Sequence, residues 1–232
     1  MAKDARILIQ AGHWHRTHGA TGASGPWGNE IDWTPVVAKA CHNTLIAAGI
    51  TTILEDADFT MKPVQRVYEV DIAVACHFDG GGASGTSIGF PDASDAPVAL
   101  GWKKFYHTVY PSSFRTMPDN FTPGLRNYYG YRRWKTTIAE FLIEFCDIAN
   151  KDQAQWAKPR LEYLGKMLAY YLAGQLGVTI PMPVDPVMAA SLGPVKLPDL
   201  KIMDKIGTIL SRVMAPGEKV TYDPVANVVK IT

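Results

Sequence analysis

Residues 6–30 read RILIQAGHWHRTHGATGASGPWGNE, and this stretch decides the fold. Ile7, Leu8 and Ile9 form a short β-rich apolar run that steps down to Ala11-Gly12. His13 follows the run, and a loop of Gly, Ser, Thr and Ala leads on to Glu30. Glu30 stands just ahead of an apolar segment at helical spacing. There Val37, Cys41, Leu45 and Ala48 share a face, and Gly49 supplies the stop. A histidine at a strand end and a glutamate at a helix start, joined by a flexible loop, can meet at one point. Open sheets present ligands in this way, at the carboxyl ends of their strands.

Outward from this stretch, strand and helix patterns alternate. Residues 31–49 are helical, and Thr34-Pro35 offers a cap and first-turn proline, so the helix starts at Pro35 or starts earlier and kinks. Strand patterns follow at 50–54, 72–77, 86–90 and 140–145, with a short helix expected over 64–69 and longer ones over about 94–110 and 152–176. The last carries Leu161, Leu164, Leu168, Leu172 and Leu176 and is expected to step at Pro159. The alternation predicts an α/β domain with a mostly parallel mixed sheet and helices on both faces. It occupies residues 1–180. Pro181, Pro183, Pro186, Pro194 and Pro198 mark a linker over 181–198. Residues 199–232 form a small C-terminal α+β tail. Its expected elements are an amphipathic helix through Ile202, Ile206, Ile209, Leu210 and Val213, then strands over 218–223 and 227–232.

Two more polar residues stand at strand ends. His77 follows the apolar run 71–76, and Glu144 follows Phe141-Leu-Ile143. His13, Glu30 and His77 offer imidazole nitrogen and carboxylate oxygen, a donor set suited to catalytic zinc with one position left for water. Glu144 is then free to handle protons. Glu140 competes for that role, but it precedes the apolar triplet and is expected at the far end of the strand. Gly80 to Gly85 is a glycine-rich loop with no Lys-Ser/Thr helix start behind it, so it is read as room beside His77 rather than a phosphate cradle.

The segments AGH at 11–13, G-x-E at 28–30, CHFDG at 76–80 and LIEFCDIAN at 142–150 resemble, in order, the motifs of the zinc-dependent N-acetylmuramoyl-L-alanine amidases of the amidase-3 family. That family shows a GHGG-like turn, an acidic ligand at a helix start, an SIHAN-like strand end and an LVELGFxSN-like strand. The resemblance runs from about residue 6 to residue 177. Phe78-Asp79 and Cys146-Asp147 depart from its pattern. It implies zinc held by His13, Glu30 and His77, with Glu144 catalytic. It also implies hydrolysis of the amide between the muramic acid lactyl group and L-alanine of the peptidoglycan stem peptide. Arg126, Arg132 and Arg133 are candidates to pair with stem-peptide carboxylates, and Tyr128 and Tyr129 to pack on sugar or peptide. Two other classes stand beside this one. One is a cysteine hydrolase using Cys76 or Cys146. Cys76 and His77 face opposite ways on a strand, whereas Cys146 shares the Glu144 face if the strand continues. The other is a non-catalytic wall-binding or virion protein.

The chain has 232 residues, 47% apolar and 19% charged, an ordinary globular balance. A net charge of +1 argues against nucleic acid or an anionic membrane as partner. Cys41, Cys76 and Cys146 are odd in number and lie in apolar contexts, so reduced buried thiols are expected. The first residues lack an apolar signal core and no run is long enough to span a membrane. The expectation is therefore a phage endolysin, made in the host cytoplasm and reaching the wall after membrane permeabilisation, or a bacterial enzyme freed by lysis. The tail, lacking cysteine and histidine to staple it, is expected to self-associate or to bind the wall.

Overall fold

The computed structural model describes residues 4–16, 21–57, 66–191, 201–203, 209–211, 220–223 and 228–231. The chain divides into two compact units, Met1–Asp185 and Pro186–Thr232.

In the first unit the elements run β1 (Ile7–Ala11), β2 (Ser24–Gly25), β3 (Gly28–Asn29), α1 (Glu30–Ala47), β4 (Thr52–Glu55), β5 (Tyr68–Asp79), β6 (Ser87–Gly89), α2 (Ala96–Tyr106), α3 (Pro123–Arg126), β7 (Trp134–Asp147), α4 (Lys151–Ala157) and α5 (Leu161–Gln175). Five strands form one sheet in the order β4-β1-β5-β7-β6. β4, β1, β5 and β7 are parallel, and β6 runs antiparallel to β7. This is the mostly parallel mixed sheet that the alternation predicts.

Alternation along the strands sorts two apolar layers. Ile7 and Ile9, Ile72, Val74 and Cys76, and Phe141 and Ile143 join one cluster with Val37 and Leu45 of α1, Trp102 of α2, and Leu164 and Leu168 of α5. Leu8, Ala73, Ala75 and Leu142 face the other way, toward Leu125, Tyr128 and Trp134. The helices therefore divide unequally. Long ones cover the first face, while the second carries α3 and an aromatic segment. That second face also receives Gln10, His77 and Glu144, so the site lies on the thinly covered side.

Several boundaries differ from expectation. α1 starts at Glu30, which leaves Pro35 inside the helix, and Glu30 and Asp32 occupy its first turn, where the helix dipole favours anions. β5 begins at Tyr68, so Tyr68 and Glu69 are strand where a short helix was expected over 64–69; residues 58–65 lie outside the described residues. The cause is cross-strand pairing: Tyr68, Glu69 and Val70 sit opposite Trp134, Lys135 and Thr136, and Lys135 reaches Glu69 at 3.6 Å. β7 correspondingly starts at Trp134, well before Glu140. The step at Pro159 is present as a 3-10 turn, Lys158–Arg160, between α4 and α5.

The second unit holds α6 (Pro186–Ser191), within the stretch expected to be linker, and two antiparallel pairs: β8 (Lys201–Met203) with β9 (Ile209–Ser211), and β10 (Val220–Asp223) with β11 (Val228–Ile231). The helix expected through Ile202, Ile209 and Leu210 is therefore corrected to strands, with Ile202 opposite Leu210 and Met203 opposite Ile209. Ile206 and Val213 lie outside the described residues. Short apolar runs do not separate helix from strand by periodicity, and pairing decided it here. Among the described residues, no helix is long and apolar enough to cross a membrane.

Candidate active site

β1 delivers His13. The chain turns after Ala11, with the Gly12 N–H donating to the Cys76 carbonyl at 2.9 Å, and His13 adopts φ 58°. A non-glycine residue in the left-handed region is uncommon, and such strain clusters at functional sites. Thr34 of α1 donates its hydroxyl to the Gly12 carbonyl at 2.5 Å, pinning the turn to the helix. A Cβ on Gly12 would lie 2.3 Å from His77 Cε1, and one on Gly22, at φ +92°, 2.5 Å from Glu30 Oε2. Both glycines are therefore space for the polar side chains.

α1 delivers Glu30. Its N–H donates to the Ala23 carbonyl at 2.8 Å. Its carboxylate accepts from the Ala23 N–H at 2.7 Å and the Phe78 N–H at 3.1 Å. β5 delivers His77, whose Nδ1 lies 2.8 Å from Glu30 Oε1. His13 Nε2 lies 3.6 Å from Glu30 Oε2. One donor atom from each of His13, Glu30 and His77 lies within 4.8 Å of the others, so all three can reach one ion. Burial pushes the Glu30 carboxyl up, but the hydrogen bond from His77 and the charges of His77 and His13 outweigh it and hold the group below its ordinary value. Glu30 is thus kept anionic, as a metal ligand must be.

β7 delivers Glu144, in register with His77 on one side and Ser87 on the other. Its Oε2 is buried and finds no hydrogen-bond partner among the described residues. Burial first, then the nearby carboxylates of Glu30 and Asp79, raise its carboxyl well above the ordinary range. A pocket of about 230 Å³ brings together His13, His77, Asp79 and Glu144 with Phe121, Thr122, Leu125, Tyr128 and Leu142. A poised carboxyl, a ligand group and an apolar wall thus share one cleft.

The other predicted residues separate. Tyr128 lines the pocket, with its hydroxyl 3.1 Å from His77 Nε2. Tyr129 packs on Tyr128 at 4.4 Å between ring centroids, and the Arg16 guanidinium lies over its ring. Arg126 and Arg132 are exposed on the same segment. Arg133 is not in the pocket. It is 4% exposed and paired with buried Glu55 at 3.1 Å, so its position is corrected from substrate contact to buried ion pair. Glu140 is corrected too. It lies mid-strand on the Glu144 face, with its N–H on the Asp95 carboxylate at 3.0 Å, and not at the strand's far end. Burial, with Asp95 and Asp92, pushes its carboxyl up to about 8.

Cys41, Cys76 and Cys146 are free and fully buried. Burial raises all three thiols, which leaves no thiolate to attack. Cys146 joins the helix-side core and not the Glu144 face, because the register shifts between His77 and Asp79. Asp79 was legible as the residue two beyond His77 on the same strand face. Phe121, Thr122 and Leu125 carry no local signal, since a long connection brings them over the sheet.

The fold and the ligand group define an open α/β domain with a two-histidine, one-carboxylate set at the carboxyl ends of its strands. No protein-family model matches the chain, and no curated protein sequence matches it. Solved structures do. The catalytic domain of the CD27L endolysin targeting Clostridia difficile superposes with a TM-score of 0.57 at 17% identity, over 76% of this chain and 99% of that one. The catalytic domain of CwlV, an N-acetylmuramoyl-L-alanine amidase from Bacillus (Paenibacillus) polymyxa var. colistinus, gives 0.56 at 17%, over 75% and 99%. The N-acetylmuramoyl-L-alanine amidase AmiC2 of Nostoc punctiforme gives 0.54 at 15%, over 75% and 97%. At such identities the likeness establishes a shared fold.

Proposed function

We propose that the protein is a zinc-dependent N-acetylmuramoyl-L-alanine amidase of the amidase-3 type, acting on peptidoglycan as a phage endolysin in host lysis. The observation that carries this is the convergence of His13, Glu30 and His77 within 4.8 Å, with His13 and His77 lining one pocket together with Glu144. Zinc bound there would supply Lewis acidity, which lowers the pKa of water from about 15.7 toward roughly 7 and polarises a carbonyl. His13, Glu30 and His77 would hold it. Glu144 accepts the proton of the attacking water and later delivers it to the leaving amine. The bond formed joins water oxygen to the lactyl carbonyl carbon, and the bond broken frees the amine of L-alanine. Phe121, Leu125 and Leu142 give an apolar wall suited to the lactyl and alanine methyls. Arg126 and Arg132, both exposed, are our candidates to pair with stem-peptide carboxylates.

The test is product analysis on purified peptidoglycan. The expected result is new amino-terminal alanine without new reducing sugar ends. New amino termini from within the stem peptide would make it a peptidase, and no cleavage with retained wall binding would make it a non-catalytic binder. Thiol alkylation is expected to leave activity intact, because Cys41, Cys76 and Cys146 are buried and protonated.

The same reading gives the tail a role. Each of its strand pairs is two-stranded, and such pairs are marginal alone in water. Pairs of this kind need further contacts to persist, which we assign to a second copy ahead of the wall. Cutting the chain after Asp185 is expected to leave an active amidase with either a lower mass in solution or weaker retention on cell walls. Unchanged mass and retention in light scattering and wall sedimentation would refute the assignment.

A further inference from the structure

Behind His77 a file of buried polar groups runs across the sheet, with the Tyr129 hydroxyl as a branch at Tyr128. Arg133 pairs with Glu55 at 3.1 Å. Glu55 Oε2 accepts from Gln10 Nε2 at 2.9 Å. Gln10 Oε1 accepts from the Tyr128 hydroxyl. The Tyr128 oxygen lies 3.1 Å from His77 Nε2. The sheet builds this file, since Gln10 and Glu55 are register partners on β1 and β4. Gln10 is wholly buried, Glu55 is 3% exposed and Arg133 4%, so each must satisfy its polar atoms inside the protein.

Chemistry fixes the sense of every link. A guanidinium only donates, and a carboxylate paired with it only accepts. Gln10 must therefore turn its NH₂ toward Glu55, which leaves its carbonyl facing Tyr128. The Tyr128 hydrogen goes to that carbonyl, so the Tyr128 oxygen is left to accept. On its other side lie the Tyr129 hydroxyl at 3.0 Å and His77 Nε2 at 3.1 Å, and with no Tyr128 hydrogen left to give, Nε2 must carry the proton. We infer that this file, resting on the metal-site reading above, keeps a proton on His77 Nε2, so that zinc would displace only the Nδ1 proton now held against Glu30 Oε1 at 2.8 Å and Nδ1 would face the metal position shared with Glu30 and His13. Tyr128 is thus a positioning residue acting through His77. The file accounts for four polar residues that the hydrolysis itself does not use.

The experiment uses the full-length chain and zinc alone as the probe. Zinc affinity is measured by chelator competition for wild type, Tyr128→Phe and Gln10→Leu. The His77 ring nitrogens are read by ¹⁵N NMR in the zinc-loaded wild type. Expected are coordination through Nδ1 with a protonated Nε2, and a roughly 10- to 100-fold weaker affinity in both variants, the loss typical of an outer-shell partner. Thermal unfolding of the metal-free variants separates this from a general loss of fold, and the NMR readout on wild type stands without any variant. Coordination through Nε2, or an unchanged affinity in Tyr128→Phe, would overturn the file while leaving the metal site. A wild type that binds no zinc would instead overturn the metal-site reading, and the file with it.

Discussion

Glu144→Gln is expected to lower turnover by at least about a hundredfold while zinc binding stays at the wild-type level. The amide keeps the shape of the carboxyl but cannot take a proton from water. Glu144 is suited to the task because burial and the Glu30 and Asp79 carboxylates raise it well above 4.5. A general base works when ionised, so the pH–rate profile should carry an acid limb set by Glu144. The variant's residual activity should lack that limb. Glu140→Gln serves as the contrast, since Glu140 shares the strand face but lies outside the pocket. Its folded carboxyl is raised from 4.5 to about 8. The folded state therefore holds that proton more tightly than the unfolded chain, and the associated stability is full below pH 4.5 and lost as the pH rises through about 8. Glu140→Gln should keep most activity and remove that loss, giving a higher Tm than wild type above pH 8. Activity assays, zinc titration and melting curves against pH decide between the two carboxyls. A larger activity loss in Glu140→Gln would reverse the assignment.

The legible parts of this fold are those where one residue's neighbours in sequence are also its neighbours in space. Ile7 to Ile9 and Ile72 to His77 announce strands by composition, and the strand ends name His13 and His77 without any long-range information. Glu30 was legible because a helix pattern begins right behind it. The amino-terminal half of β7 was lost among the aromatics and arginines before it, although Trp134, Thr136, Thr137 and Ile138 are good strand formers. Arg133 shows the limit more sharply. In sequence it belongs to an exposed-looking basic run with Arg132, and only the fold reveals that Glu55, on another strand, buries it. The left-handed turn at His13 and the approach of Tyr128 to His77 are likewise tertiary facts, set by Gly12, Thr34 and Gln10 rather than by local propensity. In the tail, Ile202, Ile209 and Leu210 fit a helical stripe and a strand equally well, and pairing, which no local pattern encodes, settled it.

Chelation should abolish activity outright, and zinc should restore it. The ligand group is held in place by the protein itself, because Glu30 accepts from the Ala23 and Phe78 N–H groups while His77 leans on Tyr128. Metal-free protein should therefore stay folded with its cleft formed but inert. This separates loss of chemistry from loss of structure. Zinc at a thousand times its dissociation constant adds about 4 kcal/mol to stability. For a domain of this size that raises Tm by roughly 8–16 °C, at about 2–4 °C per kcal/mol. His77→Ala removes one of the three candidate ligands, and should lose both the activity and the zinc-dependent rise in Tm. His13→Ala should do the same. The Glu30 carboxyl, held below 4.5, contributes stability that is present above pH 4.5 and lost as the pH falls through its lower folded value. Calorimetry with and without zinc, alongside metal content and activity on one preparation, measures all of this. Full turnover in protein shown to be metal-free, or an undiminished zinc shift in His77→Ala, would exclude the mechanism.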